Sequence, residues 1–212
     1  MQPPRSSPAT FDIARAVIPP RVIDDALRIL HLDLLERGAT ADELGRWLWG
    51  CHWFPHLNDD PRIVALADAL PESWRSGERC NTQILLQFPH TGPEPEITFH
   101  LDREPDWADG RRYLRIVGIA LSAWSAANGG LLVRPDDQVV AVQLAAGDAV
   151  RMDPGLLHSS AINRTGGIRY AVYFRWLQAA APRDGDQRPP AAASSASRMQ
   201  RASSAAGSGS QT

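Results

Sequence analysis

Hydrophobic and polar residues follow two different rhythms along this chain, and the change from one to the other falls near Gly77. Before it, the stretch PPRVIDDALRILHLDLLERG places Val22, Ile23, Ala26, Leu27, Leu30 and Leu34 three and four residues apart. That spacing gathers them on one face of a helix, with Gly38 as a natural stop. TADE at 40–43 has the form of a capping box and predicts a second helix running through LGRWLWG. Asp60 followed by Pro61 predicts the start of a third, PRIVALADAL.

Beyond Gly77 the period falls to two. In CNTQILLQF, Asn81, Gln83, Leu85 and Gln87 alternate with Thr82, Ile84, Leu86 and Phe88. EITFHLD, YLRIVGIALSAW, GLLVRP, QVVAVQL, DAVRM and IRYAVYFRWL follow, divided by clusters of Gly, Pro, Asn and Asp. Short strands at such close spacing predict a β-sandwich or barrel. Helices first and strands afterwards predict an α+β domain whose helices pack on the outside of the β unit.

The ends differ from the middle. From Ala179 onward the residues are almost all Ala, Ser, Arg, Gly, Pro and Gln, with Met199 as the one large apolar side chain. Such a segment buries too little apolar surface to offset its ordering entropy. Residues 179–212 are therefore expected to be a disordered tail, residues 1–10 a flexible N-terminus, and residues 11–178 the folded domain.

Composition narrows the chemistry. A net charge of −2 gives no electrostatic case for nucleic acid or an anionic membrane surface. All 22 basic residues are arginine, so mechanisms that need a lysine Schiff base or a P-loop lysine are excluded. Cys51 and Cys80 are far apart and outside any CxxC pattern, which suits a reducing cytoplasm. MQPPRSSPAT has no apolar signal core, and no stretch approaches the length of a membrane-spanning helix. The expectation is a cytoplasmic protein with a small-molecule partner; the sequence does not speak to its oligomeric state.

The candidate chemistry lies in two places. In ITFHLDREPDW, His100 and Asp102 are two apart, so a strand would present imidazole and carboxylate on one face. In PGLLHSSAINRTGGIRYAVYF, His158 follows a strand and a turn, and a β-sandwich can bring it opposite His100. Two histidines and one carboxylate make a facial triad that leaves three positions of an octahedral iron(II) open. Eleven residues after His158 comes Arg169, on a strand whose alternation sets Arg169, Ala171, Tyr173 and Arg175 opposite Ile168, Tyr170, Val172, Phe174 and Trp176. With the apolar set against the helices, Arg169 points into the pocket. A buried guanidinium calls for an anion, either a bidentate ligand carboxylate or an internal Asp or Glu.

Taken together, His100, Asp102, His158, Ser160 and Arg169 resemble, in order and spacing, the site of the phytanoyl-CoA dioxygenase family. NGGLLVRP at 128–135 is similar to a segment before that family's crossover, and FDIARAVIPPRVIDDALRIL to its first strand and helix. The resemblance spans roughly residues 11 to 178. It implies a double-stranded β-helix (jelly-roll, cupin-like) core with the N-terminal helices on one sheet. It also implies a dioxygenase that uses Fe(II), 2-oxoglutarate and O2. Carried over, His100, Asp102 and His158 hold iron, Arg169 grips the distal carboxylate of 2-oxoglutarate, and Ser160 donates to it. Gln83, seventeen residues before His100, is similar to a glutamine of ectoine hydroxylase and is assigned to the same co-substrate.

Gln87, Arg103, Trp107, Tyr173 and Arg175 are the candidates for contact with substrate. Only 55 residues separate Asp102 from His158, so the long insert of the acyl-CoA enzymes is missing. A compact polar molecule, such as an amino acid or a natural-product intermediate, fits better than a coenzyme A thioester. Two other readings share the residues: a non-catalytic double-stranded β-helix that binds a ligand, and a divalent-metal hydrolase or isomerase. The second leaves Ser160 and Arg169 without a purpose.

Overall fold

The computed structural model describes residues 10–36, 55–102 and 112–178. Ten strands and helices organise them. Strand β1 is Phe11–Ala14 and helix α1 is Pro20–Glu36. Helix α2 is Pro61–Asp68, and strands β2 and β3 are Glu78–Gln87 and Tyr113–Ala120. The remainder are β4 (Leu131–Val133), β5 (Val140–Ala141), β6 (Ala149–Met152), β7 (His158–Ser160) and β8 (Arg169–Leu177). They form two antiparallel sheets, one in the order β1-β6-β3-β8-β2 and the other β5-β4-β7.

The helix signals act where the sequence puts them. On α1, Ile23, Ala26 and Leu30 are buried. Asp60 caps α2: its carboxylate accepts from the Arg62 backbone N–H at 2.9 Å, and Pro61 takes the first turn, where no N–H is needed. The Arg62 guanidinium on the same carboxylate holds the Asp60 pKa below its usual value. The capping box at 40–43 and its predicted helix lie outside the described residues, as do the proposed tail and residues 1–9 of the proposed N-terminus.

Alternation divides the large sheet between two cores. Ile84 and Leu86 of β2, Val117 and Ile119 of β3, and Val172, Phe174 and Trp176 of β8 pack against α1 and α2. Their neighbours Ile116, Ala120, Val150, Ala171 and Tyr173 turn toward the small sheet, where Leu131 and Val133 meet them. The functional side chains sit in this second layer.

Gly118 makes room there. It lies opposite Tyr173 in the β3–β8 register, and Tyr173 stacks on Trp124 with ring centroids 5.7 Å apart. A Cβ at residue 118 would stand 2.6 Å from Tyr173 Cε1 and 3.1 Å from Trp124 Cη2. Gly118→Ala is therefore expected to destabilise the fold by about 1–3 kcal/mol through overpacking. Thermal denaturation checks it, and an unchanged melting temperature would show that the stack yields freely.

Several strands are shorter than the alternation predicts. β4 and β5 keep three and two residues of GLLVRP and QVVAVQL. EITFHLD is not a strand: within it only His100 makes a ladder contact, an isolated antiparallel bridge to His158. Alternation records a face buried and a face exposed, and it cannot report whether a partner backbone lies alongside. β7 is too short to show a period at all, yet it pairs with β4 through the whole of His158–Ser160.

Candidate metal and co-substrate site

His100 and His158 exchange both backbone hydrogen bonds at 3.0 Å, which places their rings 4.5 Å apart between centroids. Asp102, two residues on, brings a carboxylate to the same spot. Its Oδ1 stands 4.0 Å from His100 Nε2 and 3.8 Å from His158 Nε2, and one ligand atom from each residue falls within 4.8 Å of the others. Among the described residues this is the group of metal-ligating side chains with that geometry.

The protonation of His158 can be worked out from its neighbour. Nδ1 lies 2.9 Å from the carbonyl oxygen of Leu156, which can only accept, so Nδ1 carries the proton and Nε2 carries a lone pair. Burial pushes the His158 pKa down, against the opposing pull of Leu156 and of the Asp102 charge, so the ring favours its neutral form. A lone pair on Nε2 and the lone pairs of Asp102 Oδ1 thus face each other with no proton to share. A cation between them resolves that arrangement, and second-position hydrogen bonds of the His158–Leu156 kind are a regular feature of metal-bound histidine.

Asp102 Oδ2 is engaged elsewhere. Arg175 donates to it from Nε at 2.9 Å and from Nη2 at 2.5 Å, and Nη2 also donates to Gln83 Oε1 at 2.8 Å. Arg175 Nη1 is buried with no hydrogen-bond partner. The sequence grouped Gln83 with the co-substrate and Arg175 with the substrate. In the fold Arg175 donates to Asp102, and Gln83 accepts from Arg175.

Arg169 lies deeper than the alternation alone suggests, with 1% of its surface exposed. Its guanidinium is 5.2 Å from the Trp124 ring centroid, in a cation–π arrangement, and the Tyr173 phenol lies beside it. Nη2 donates to Gln87 Oε1 at 2.7 Å and reaches Ser160 Oγ at 3.5 Å, the outer limit of a hydrogen bond. Nε and Nη1 are buried without a partner of normal geometry. No carboxylate among the described residues forms an ion pair with Arg169. Burial draws its pKa down and pushes that of Tyr173 up, so the phenol keeps its proton.

The metal-ligand group and the polar neighbours of Arg169 line one cavity of about 400 Å³, whereas Arg169 itself is not on the cavity surface as the alternation predicted but is buried behind Gln87, Ser160 and Tyr173. His100, Asp102, His158 and Arg175 line one part of it, and Gln87, Ser160, Tyr173 and Asn163 another. Gln87 is pinned from two sides: its Nε2 donates to the Ala161 carbonyl at 2.7 Å, and its own backbone carbonyl accepts from Asn163 at 2.8 Å. Gly129, at φ +81°, leaves the space, since a Cβ there would lie 2.6 Å from Gln87 Cδ. This gives a physical reason for the first glycine of the pair before β4.

Of the eleven candidate residues, the fold brings nine together: His100, Asp102, His158, Ser160, Arg169, Gln83, Gln87, Tyr173 and Arg175. Arg103 and Trp107 lie outside the described residues. The sequence reading missed Trp124 under the guanidinium and the Pro95–Thr98 wall of the cavity. It also gave His90 no part in the site, yet His90 stands on the cavity wall, with Nε2 2.8 Å from the Pro93 carbonyl. Trp124 closes the apolar run YLRIVGIALSAW, four residues past the end of β3, and that run was its signal; the wall, which is irregular chain, had none.

No family model matches the sequence, and no curated protein does. Solved structures share the fold. AviO1 from Streptomyces viridochromogenes Tue57 is 21% identical, with a TM-score of 0.60 over 82% of this chain and 92% of that one. SnoK, a non-heme alpha ketoglutarate dependent carbocyclase from nogalamycin biosynthesis, is 16% identical, with a TM-score of 0.57 over 84% and 85%. The epimerase SnoN, solved with Fe3+, alpha ketoglutarate and nogalamycin RO, is 17% identical, with a TM-score of 0.52 over 81% and 80%. At these identities the likeness establishes that the chain shares the fold of these three proteins.

Proposed function

We propose that this chain is an Fe(II)- and 2-oxoglutarate-dependent oxygenase of the phytanoyl-CoA dioxygenase type, built on a double-stranded β-helix. The observation that carries the reading is that the lone pairs of His158 Nε2 and Asp102 Oδ1 face each other without a proton between them, with His100 Nε2 4.0 Å from the same oxygen. Two histidines and a single carboxylate oxygen suit iron(II) with open positions better than a closed four-ligand zinc site. Bound there with 2-oxoglutarate and O2, the metal would supply the oxidative decarboxylation that releases succinate and CO2 and yields an oxidant strong enough to take a substrate hydrogen.

The protein's own share of the work is binding, orientation and exclusion of water. Arg169, buried and without an ion pair among the described residues, is the anchor for the distal carboxylate of the co-substrate. Gln87 Oε1 accepts from one Arg169 nitrogen, Nη2, while Nε and Nη1 keep hydrogens without a partner of normal geometry. Ser160 and the protonated Tyr173 supply further donors on the same side. The Trp124 ring closes the far face of the guanidinium, so its charge is directed forward.

The substrate in this reading is a compact polar small molecule, an amino acid or a natural-product intermediate, and the outcome is hydroxylation. A cavity of about 400 Å³ that must also hold 2-oxoglutarate leaves little space for a thioester. Among the described residues no helix is long and apolar enough to cross a membrane. The fold-sharing enzymes SnoK and SnoN come from nogalamycin biosynthesis, which agrees with the class proposed.

The test begins without a substrate. Anaerobic iron(II) and 2-oxoglutarate added to the protein should give the weak visible charge-transfer band of a chelated ketoacid. A metabolite panel scored for succinate release coupled to product mass then identifies the substrate. Absence of the band with fully folded, iron-loaded protein would remove the assignment.

A further inference from the structure

Resting on the metal reading above, we infer that Arg175 is a positioning residue that keeps Asp102 a one-oxygen ligand, and that Gln83 holds Arg175 to that task. The two oxygens of Asp102 are not equivalent. Oδ1 faces both imidazoles, whereas Oδ2 receives two hydrogens from Arg175, at 2.9 and 2.5 Å. The carboxylate is 14% exposed, so little water competes for Oδ2.

The guanidinium is the better anchored of the pair. Arg175 stands in β8, which has neighbours on both sides in the five-stranded sheet, and it is paired with Asn81 of β2 and Ile116 of β3. Gln83, 5% exposed on β2, accepts from the same Nη2 that reaches Asp102. Asp102 lies outside any strand, two residues beyond the single bridge at His100. Its orientation is therefore set by what its side chain meets, and on the side away from the imidazoles it meets Arg175.

The consequence lies in counting coordination positions. A carboxylate can bind a divalent ion through one oxygen or both. With one oxygen from Asp102, three protein ligands leave three of six octahedral positions open. Two go to a chelating 2-oxoglutarate, and one remains for dioxygen. With both oxygens bound, only two positions stay open and dioxygen has none. Arg175 thus protects the open position by occupying Oδ2, a role distinct from that of Arg169, which meets the co-substrate. The same hydrogen bonds explain why Gln83, polar and buried, faces this wall of the cavity.

Mn(II) is the probe, bound to the full-length protein, with its exchangeable water ligands counted by solvent nuclear relaxation. The wild type should show three and Arg175→Met two, because Oδ2 is freed to chelate. Arg175→Lys should return the count to three, since an ammonium can still donate to Oδ2. Should the Met variant fail to fold, Arg175→Gln serves, as its amide is too short to reach Asp102; it should also show two. A count of three in whichever of these variants folds overturns the inference and leaves the metal reading intact. A wild type that does not bind Mn(II), or that binds it no better than His158→Ala, overturns both. A variant that merely loosens the fold would lower the melting temperature without removing one water.

Discussion

Replacing Arg169 with alanine should weaken 2-oxoglutarate binding by about 2–5 kcal/mol while leaving metal affinity nearly unchanged, the range for truncating one partner of a buried, hydrogen-bonded charge pair. The size of the effect follows from where the guanidinium sits. It is 1% exposed, rests on the Trp124 ring and finds no carboxylate among the described residues to neutralise it. Its polar neighbours, Gln87, Ser160 and Tyr173, are all neutral groups. A buried cation in neutral company gains much from an incoming carboxylate, so its loss is felt mainly by that ligand. The metal ligands come from the chain at 100–102 and from β7, so the substitution leaves them in place. Anaerobic titration of the iron(II) protein with 2-oxoglutarate, followed by the visible band, measures the first quantity, and Mn(II) binding measures the second. Unchanged 2-oxoglutarate affinity would remove Arg169 from the site, and with it much of the functional reading. Arg169→Lys should fall between, because an ammonium keeps the charge and loses the two-pronged geometry.

Much of this site was legible in the sequence because it depends on period and order. The alternation in IRYAVYFRWL separated Arg169, Tyr173 and Arg175 from Val172, Phe174 and Trp176, and the two sets do face different cores. The α1 stripe and the Asp60–Pro61 start of α2 were read from local rules that tertiary contacts did not override. His100 and His158 could be placed opposite each other because a sandwich has few ways to seat them. The contact that does so is a lone bridge and not the strand that alternation suggested.

What could not be read was partnership among polar residues far apart in the chain. Asp102 and Arg175 are 73 residues apart, and Gln83 and Arg175 are 92 apart. Period two says that Gln83 and Arg175 face inward, and it is silent on which inward group each will meet. Charge offered two partners for Arg169, a ligand or an internal carboxylate, and placed Arg175 only among the substrate contacts. In the fold Arg175 meets the Asp102 carboxylate, and Arg169 meets none among the described residues. Backbone pairing decided this: the β2–β8 register sets Arg175 opposite Asn81, within reach of Gln83, and Arg169 opposite Gln87.

The second large effect concerns Asp102 itself. Asp102→Ala should abolish or cripple oxygenation, because one of three protein ligands is lost and metal affinity falls with it. The wild type should also hydroxylate and not halogenate. Halogenation at such a centre needs a coordination position for chloride, which a small residue in place of the carboxylate would free. Here the carboxylate is present, and its Oδ1 points at the space between the two imidazoles. That oxygen fills the position chloride would need, while Arg175 holds the other oxygen away. The alanine variant opens the position but also leaves Arg175 without its anion, so a loss of folded protein must be measured alongside turnover. Wild type and variant are given iron(II), 2-oxoglutarate, O2, substrate and excess chloride, and the products are weighed by mass spectrometry. The wild type should give a product heavier by one oxygen and carrying no chlorine. A chlorinated product from the wild type, or full hydroxylation by the Asp102→Ala protein at matched folded concentration, would overturn the place given to this carboxylate.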